Sequence, residues 1–190
     1  MTYKIKDLAL LTIETASGKA KELLQAAKEK FGFVPNMYGG MAHSPALFEA
    51  YVSSYNAFRA EPGFTPVEQE VIFLVVSREN GCTYCVAAHS FVADKMSGVP
   101  AEITDAIRDG RTIPDVKLAA LAQFTEKMVL SRGNPADADV VAFKAAGYSE
   151  RHILDIILAI SIKTLSNYTN HVFHTPVDAT FAVRTWKQAA

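Results

Sequence analysis

The sequence predicts an all-α fold, and three observations carry that prediction. Apolar residues recur at helical spacing along almost the whole chain, two Ser/Thr-Pro start signals precede apolar runs, and strand-like alternation is scarce. At 190 residues, 49% of them hydrophobic, the chain suits one domain with a well-buried core. It divides into an N-terminal helical extension over 1–62, a core over 63–110 that carries both cysteines, and C-terminal helices over 111–190.

The elements follow from local signals. Lys19 to Phe31 reads as a mostly exposed amphipathic helix, ended by Gly32 and the Val34-Pro35 step, because a residue before proline avoids the α region. Asn36 is expected to cap a short helix through Met41. Ser44-Pro45 supplies an N-cap and a first-turn proline for a helix to about Ala60, stopped by Glu61-Pro62-Gly63. Thr65-Pro66 repeats the signal, and Glu68 completes a capping box for a helix to Arg78 or Glu79. From Val71 to Val76 that helix is apolar all round, hence buried.

Asn80-Gly81 breaks the helix, and the next begins near Cys82 and ends at Gly98 before Pro100. Further helices are expected over Ala101 to Arg108, Pro114 to Ser131, Asp137 to Ala146 and Glu150 to about Phe173. Within the last, Ile153 to Ile162 reads as a central core helix or a subunit interface, and the tail from Thr175 carries no clear signal. Gly63-Phe64-Thr65 echoes Gly147-Tyr148-Ser149, so a slide of 82 sets Thr164, Asn167 and His171 opposite Cys82, Cys85 and His89. A duplicated helical unit is one reading of that echo.

A formal charge of -1 and the lack of any Lys/Arg cluster argue against nucleic acid and anionic membranes as partners. The opening stretch shows only a brief apolar run, Leu8 to Ile13, without a cleavage pattern, so no secretion signal is read. No stretch reaches the roughly 18 uninterrupted apolar residues of a bilayer-crossing helix. A soluble, cytoplasmic protein is expected.

The two cysteines, Cys82 and Cys85, exclude a disulfide scaffold; in a reducing compartment such a pair is redox-active or metal-binding more often than structural. If Cys82 opens a helix, steps of three and four place Cys82, Cys85 and His89 on one stripe. The helix N-terminus and the imidazole both favour thiolate. Which thiol attacks stays open, since the helix end favours Cys82 and the imidazole favours Cys85. Glu70 precedes Cys82 by twelve positions on a hydrophobic helix, and a carboxyl buried there would hold a proton near neutrality.

Plainer readings stand beside these. The cysteines also have lesser readings as small buried hydrophobes, or as zinc ligands with His89 and either His171 or His174. His89 is also a candidate core histidine, Glu70 a first-turn charge, and His43, His152 and His171 structural by default. Phe48, Tyr51, Tyr55 and Phe58 form an aromatic stripe that suits core or subunit interface, or an apolar substrate wall if it faces Cys85. Met37, Met41 and Met96 read as gap-fillers.

The stretch TPVEQEVIFLVVSRENGCTYCVAAHS resembles the alkylhydroperoxidase AhpD core of the carboxymuconolactone decarboxylase superfamily, with VPNMYGGMAHSPALFEAYVSSYNAF similar to its peroxidase-related branch. The resemblance covers about Val34 to Arg108. It implies an AhpD-like helical bundle that reduces organic hydroperoxides, or a disulfide partner. Cys85 would attack the peroxide and become a sulfenic acid, Cys82 would close the disulfide, and Glu70 with His89 would relay protons. It further implies a homo-oligomer (dimer, trimer or hexamer), no metal, no cofactor beyond the cysteine pair, and a thiol or dithiol electron donor. One departure is Tyr84, where the best-known relay has a histidine; it would hydrogen-bond the peroxide or simply pack. The rival classes are a cofactor-free decarboxylase or lactone enzyme, as in the branch lacking this thiol motif, and a non-enzymatic redox sensor or interaction module.

Overall fold

Every regular element among the described residues is helical. The computed structural model describes residues 4–60 and 63–188, so the Glu61-Pro62 part of the expected stop lies outside the described residues. The α-helices are α1 (Gly18–Phe31), α2 (Asn36–Met41), α3 (Pro45–Ala60), α4 (Pro66–Glu79), α5 (Thr83–Val92), α6 (Ala101–Asp109), α7 (Val116–Leu130), α8 (Asp137–Ala145) and α9 (Glu150–Phe173).

The core is organised around α4. Its capping box forms as expected: the Glu68 backbone N–H donates to the Thr65 hydroxyl at 3.3 Å, and the Thr65 N–H donates to the Glu68 carboxylate at 2.9 Å. Everything from Glu68 to Ser77 is buried, because α5, α6, α7 and α9 cover α4 on all sides. Burying each large apolar side chain there contributes about 1.5–3 kcal/mol, enough to hold the few polar residues that α4 carries inside.

The junction between α4 and α5 positions the cysteines. Gly81 takes a left-handed φ of +67°, where its N–H reaches Arg78 O at 2.9 Å and the Cys82 N–H reaches Ser77 O at 2.9 Å. This is a Schellman closure, which needs a residue without a Cβ at its left-handed position. Cys82, the residue that closes α4, then serves as N-cap of α5.

Most helix boundaries fall where the sequence places them; the differences have local causes. Asn36 is the first residue of α2 rather than its cap: its backbone N–H donates to Asp178 and its side-chain amide to Pro176 O, so the tail does the capping. Asp115 caps α7 through the Leu118 N–H at 2.8 Å, leaving Pro114 outside. The helix after Cys82 does not stay α to its end but widens into a π-helical turn over Ala93–Ser97 before Gly98. The tail folds into a 3-10 turn (Ala179–Arg184), tied down by Arg184 to Asp94 and Asp105 and by the Trp186 indole to Arg108 O at 3.0 Å.

α9 shares the centre with α4 without being enclosed. Ile156, Ala159 and Ile162 are buried, whereas Leu154 and Ile157 are exposed. It also runs unbroken through the stretch that the internal echo sets against Asn80-Gly81, so the α4 to α5 break has no counterpart there.

The C-terminal half has an aromatic seam in which Phe143 lies between Phe124 and Tyr148, with ring centroids 4.1 and 4.6 Å away. Phe143→Ala should cost about 3–5 kcal/mol of unfolding free energy, read from urea denaturation. A loss under about 1 kcal/mol would mean that this seam collapses onto the void instead of holding α7 and α8 apart.

Candidate active site

Both thiols are reduced and buried, at 1% and 2% exposure for Cys82 and Cys85. They share one partner: the Asn170 side-chain amide, from α9, donates to Cys85 Sγ at 3.2 Å and lies 3.9 Å from Cys82 Sγ. α5 places Cys82 at its N-cap, Cys85 in its first turn and His89 one turn on, as the stripe requires.

The two sulfurs have different electrostatics. Burial pushes both thiols up. For Cys85 this is outweighed by hydrogen bonding from the Cys82 thiol, the positive charge of Lys163, His89 and the nearby Ser166 hydroxyl, which together hold it well below the usual cysteine value. For Cys82, burial and the adjacent Cys85 sulfur both act upward, and it stays protonated. The same surroundings thus move the two thiols in opposite directions, Cys85 down and Cys82 up. Local spacing leaves the two cysteines equivalent, whereas α9 sits closer to Cys85, with Asn170 at 3.2 Å from its sulfur and 3.9 Å from that of Cys82.

Lys163 is the residue that sequence reasoning missed. It is 1% exposed, and its ammonium stands 5.4 Å from the centre of the Phe73 ring, with no carboxylate partner among the described residues. A buried cation of this kind requires a compensating anion, and the Cys85 thiolate supplies one. The Arg59 guanidinium also lies over Phe73, 4.8 Å from its centre.

Glu70 is fully buried in α4. Its Oε2 meets His89 Nδ1 at 2.8 Å, while Arg59 pairs with Oε1. Arg59 is itself held by the Tyr55 hydroxyl at 2.9 Å and Gln69 Oε1 at 3.1 Å. Burial alone would raise the Glu70 carboxyl, but His89 and Arg59 hold it below the usual range. The expectation that it stores a proton near neutrality is thus corrected: Glu70 is a carboxylate that orients His89. Burial, aided by Lys163, lowers the His89 imidazole below 6.5 despite Glu70. A neutral ring donating through Nδ1 to Glu70 presents Nε2 as a base.

Of the two roles open to Tyr84, packing is the one the structure shows: it is buried, with its ring edge-on to Phe181 at 6.2 Å. Its hydroxyl donates to Asp178 Oδ2 at 2.5 Å, and burial together with that carboxylate pushes its acidity far out of reach. The aromatic stripe divides: Phe48 and Phe58 belong to the core, whereas Tyr51 and Tyr55 wall a cavity of about 330 Å³ that reaches Cys85, His89 and Lys163. Met37 and Met96 also line it, and Met41 is core. Among the described residues no three His, Cys, Asp or Glu side chains gather in a group able to hold a metal ion. His171 is exposed and stacks on Tyr168, and His152 bonds Ser149 and Gly63 O. His43 bonds Ala9 O.

Residues 45–126 match the carboxymuconolactone decarboxylase family, a span that holds Glu70, Cys82, Cys85 and His89. No curated protein sequence matches the chain. Among solved structures, an AhpD-core, uncharacterised peroxidase-related protein from Ralstonia eutropha JMP134 superposes with a TM-score of 0.81 at 23% identity, over 94% of this chain and 96% of that one. An uncharacterised peroxidase-related protein from Silicibacter sp. TM1040 gives 0.79 at 23% identity, over 94% and 93%. A cysteine-to-alanine form of the debrominase Bmp8, in complex with 2,3,4-tribromopyrrole, gives 0.77 at 17% identity, over 96% and 97%. These likenesses show a shared all-helical, AhpD-like fold.

Lys163→Met keeps much of the side-chain volume and removes the positive charge that lowers Cys85. The midpoint of Cys85 alkylation by iodoacetamide, followed by mass spectrometry across pH, should move upward toward the ordinary cysteine value of about 8.5. An unmoved midpoint would remove Lys163 from the account.

Proposed function

With residues 45–126 assigned to the carboxymuconolactone decarboxylase family, we propose that this chain is a thiol-dependent peroxidase that reduces organic hydroperoxides through Cys85 and Cys82. The observation that carries the reading is a buried pair of free thiols sharing Asn170, of which Cys85 lines a cavity walled by aromatic side chains beside His89 and Lys163.

The chemistry runs in two steps. The Cys85 thiolate attacks the terminal peroxide oxygen, the O–O bond breaks, and Cys85 becomes a sulfenic acid as alkoxide departs. Nε2 of His89, held in place by Glu70, passes the Cys82 proton to that alkoxide. The freed Cys82 thiolate attacks the sulfenic sulfur, the S–S bond forms, and hydroxide leaves to be neutralised by one solvent proton. Two external thiols then return the disulfide to the dithiol. No metal or organic cofactor enters these steps.

Leu154, Ile157 and Tyr168 are exposed along α9 at helical spacing, a row that supports self-association as a homo-oligomer. A cytoplasmic setting suits a couple that starts reduced, and among the described residues no helix is long and apolar enough to cross a membrane. A second reading, thiolate-dependent dehalogenation of a haloaromatic ring, draws on the aromatic walls around Cys85 and on the fold shared with a debrominase.

Reduced protein mixed with cumene hydroperoxide and dithiothreitol should consume peroxide catalytically. Cys85→Ser should abolish consumption, and pre-reduced Cys82→Ser freed of dithiothreitol should stop after one equivalent with a dimedone-reactive sulfenic acid on Cys85. Because Cys85 is held below its ordinary value and His89 below 6.5, the acid limb of the pH-rate profile should lie below the ordinary cysteine value of about 8.5. Bromide release from a bromopyrrole without peroxide consumption would favour the second reading, and thiol-independent peroxide loss would defeat the first.

A further inference from the structure

The two sulfurs of the couple open into different cavities. Cys85 faces the aromatic one, while Cys82 lines a second cavity of about 520 Å³ on the other side of the α4 to α5 junction. Tyr84, locked by Asp178, is the single side chain common to both linings. The walls differ in chemistry. The Cys82 cavity is lined by Lys187 and His171 at its rim and by Asn170 and Thr175 deeper in, and its described lining contains no carboxylate.

Two polar atoms of this lining are buried without a hydrogen-bond partner among the described residues: Asn170 Oδ1 and Thr175 Oγ1, on side chains 4% and 7% exposed. Buried polar atoms ordinarily find partners, so these two mark places that a ligand's N–H and C=O groups would fill. An acceptor and a hydroxyl beneath a cationic rim suit a small molecule with amide groups and a carboxylate.

We propose that the Cys82 cavity is the docking site of the reductant, an anionic, amide-bearing thiol such as a cysteine-containing peptide, which reaches the disulfide from the side opposite the peroxide. The inference rests on the peroxidase reading, which creates the disulfide. In the first exchange the donor thiolate attacks Cys82 Sγ, the S–S bond breaks, and Cys85 leaves as thiolate. A second donor thiolate attacks the donor sulfur of the mixed disulfide, which releases Cys82 as thiolate to take up a proton and the donor as its own disulfide. Exchange is faster when the departing thiol has the lower pKa, and Cys85 is the depressed member of the pair. The position of the second cavity and the leaving-group order therefore agree.

The test uses full-length protein oxidised with diamide and then reduced by three probes at matched thiolate concentration: glutathione, 2-mercaptoethanol and cysteamine. Glutathione should react fastest and cysteamine slowest. Lys187→Glu, an exposed change, should slow glutathione about three- to tenfold and spare 2-mercaptoethanol, as rim charges act on association. Thr175→Val should slow glutathione selectively, while Lys30→Glu, at the rim of the Cys85 cavity, should change none of the three. Acid quenching should trap glutathione on Cys82.

Equal rates for the three probes, a larger effect of Lys30→Glu than of Lys187→Glu, or glutathione on Cys85 would each overturn the proposal while leaving the peroxidase reading intact. Failure of diamide to join Cys82 to Cys85 would bring down both.

Discussion

A thiolate sealed from water persists only where the protein supplies the charge and the N–H donors that water would have given. That constraint organises the interior of this molecule. Cys85 is buried, and around it stand the Lys163 ammonium, the Asn170 amide, the Cys82 thiol and the imidazole of His89. Lys163 has no carboxylate partner among the described residues, so cation and thiolate each relieve the cost of burying the other. Arg59, Glu70 and His89 form an adjoining chain whose charges are compensated separately. Oxidation of Cys85 removes its negative charge and leaves Lys163 uncompensated, which favours return to the reduced state.

The backbone converts this requirement into geometry. The Schellman turn at Gly81 makes Cys82 both the close of α4 and the cap of α5, and the helical stripe then delivers Cys85 and His89. Glu70, one turn into α4, faces His89 because α4 and α5 pack side by side. Tyr84 points away from the stripe and is pinned by Asp178, so the tail that caps α2 also fixes the wall between the two cavities.

The sequence exposes the part of this arrangement that lies within one short segment. Glu70, Cys82, Cys85 and His89 span twenty positions, and helix periodicity is enough to place three of them together. The contributions of α9 come from about eighty positions further on, and no local rule connects the two segments. A trace of them is visible nonetheless: Lys163, Ser166, Asn167 and Asn170 recur at steps of three, one and three, a polar helical stripe directly after the apolar run Ile153 to Ile162. All four are buried. The thiol echo at Thr164, Asn167 and His171 picks out a different set, of which Asn167 holds Asn80 and His171 stands at the cavity rim. The charge state of Glu70 depends on His89 and on Arg59, and the second belongs to another helix that no local spacing connects to it.

The central claim is that one specific sulfur of the pair is ionised in the resting protein. Labelling both cysteines with carbon-13 at Cβ, and assigning each signal with the single Cys→Ser variants, allows the two sulfurs to be titrated separately by NMR in the wild-type protein. The account requires the Cys85 signal to sit at its thiolate position through neutral pH while Cys82 stays at its thiol position well above the ordinary cysteine value of about 8.5. Two thiols titrating together near that value, or Cys82 ionising first, would contradict it.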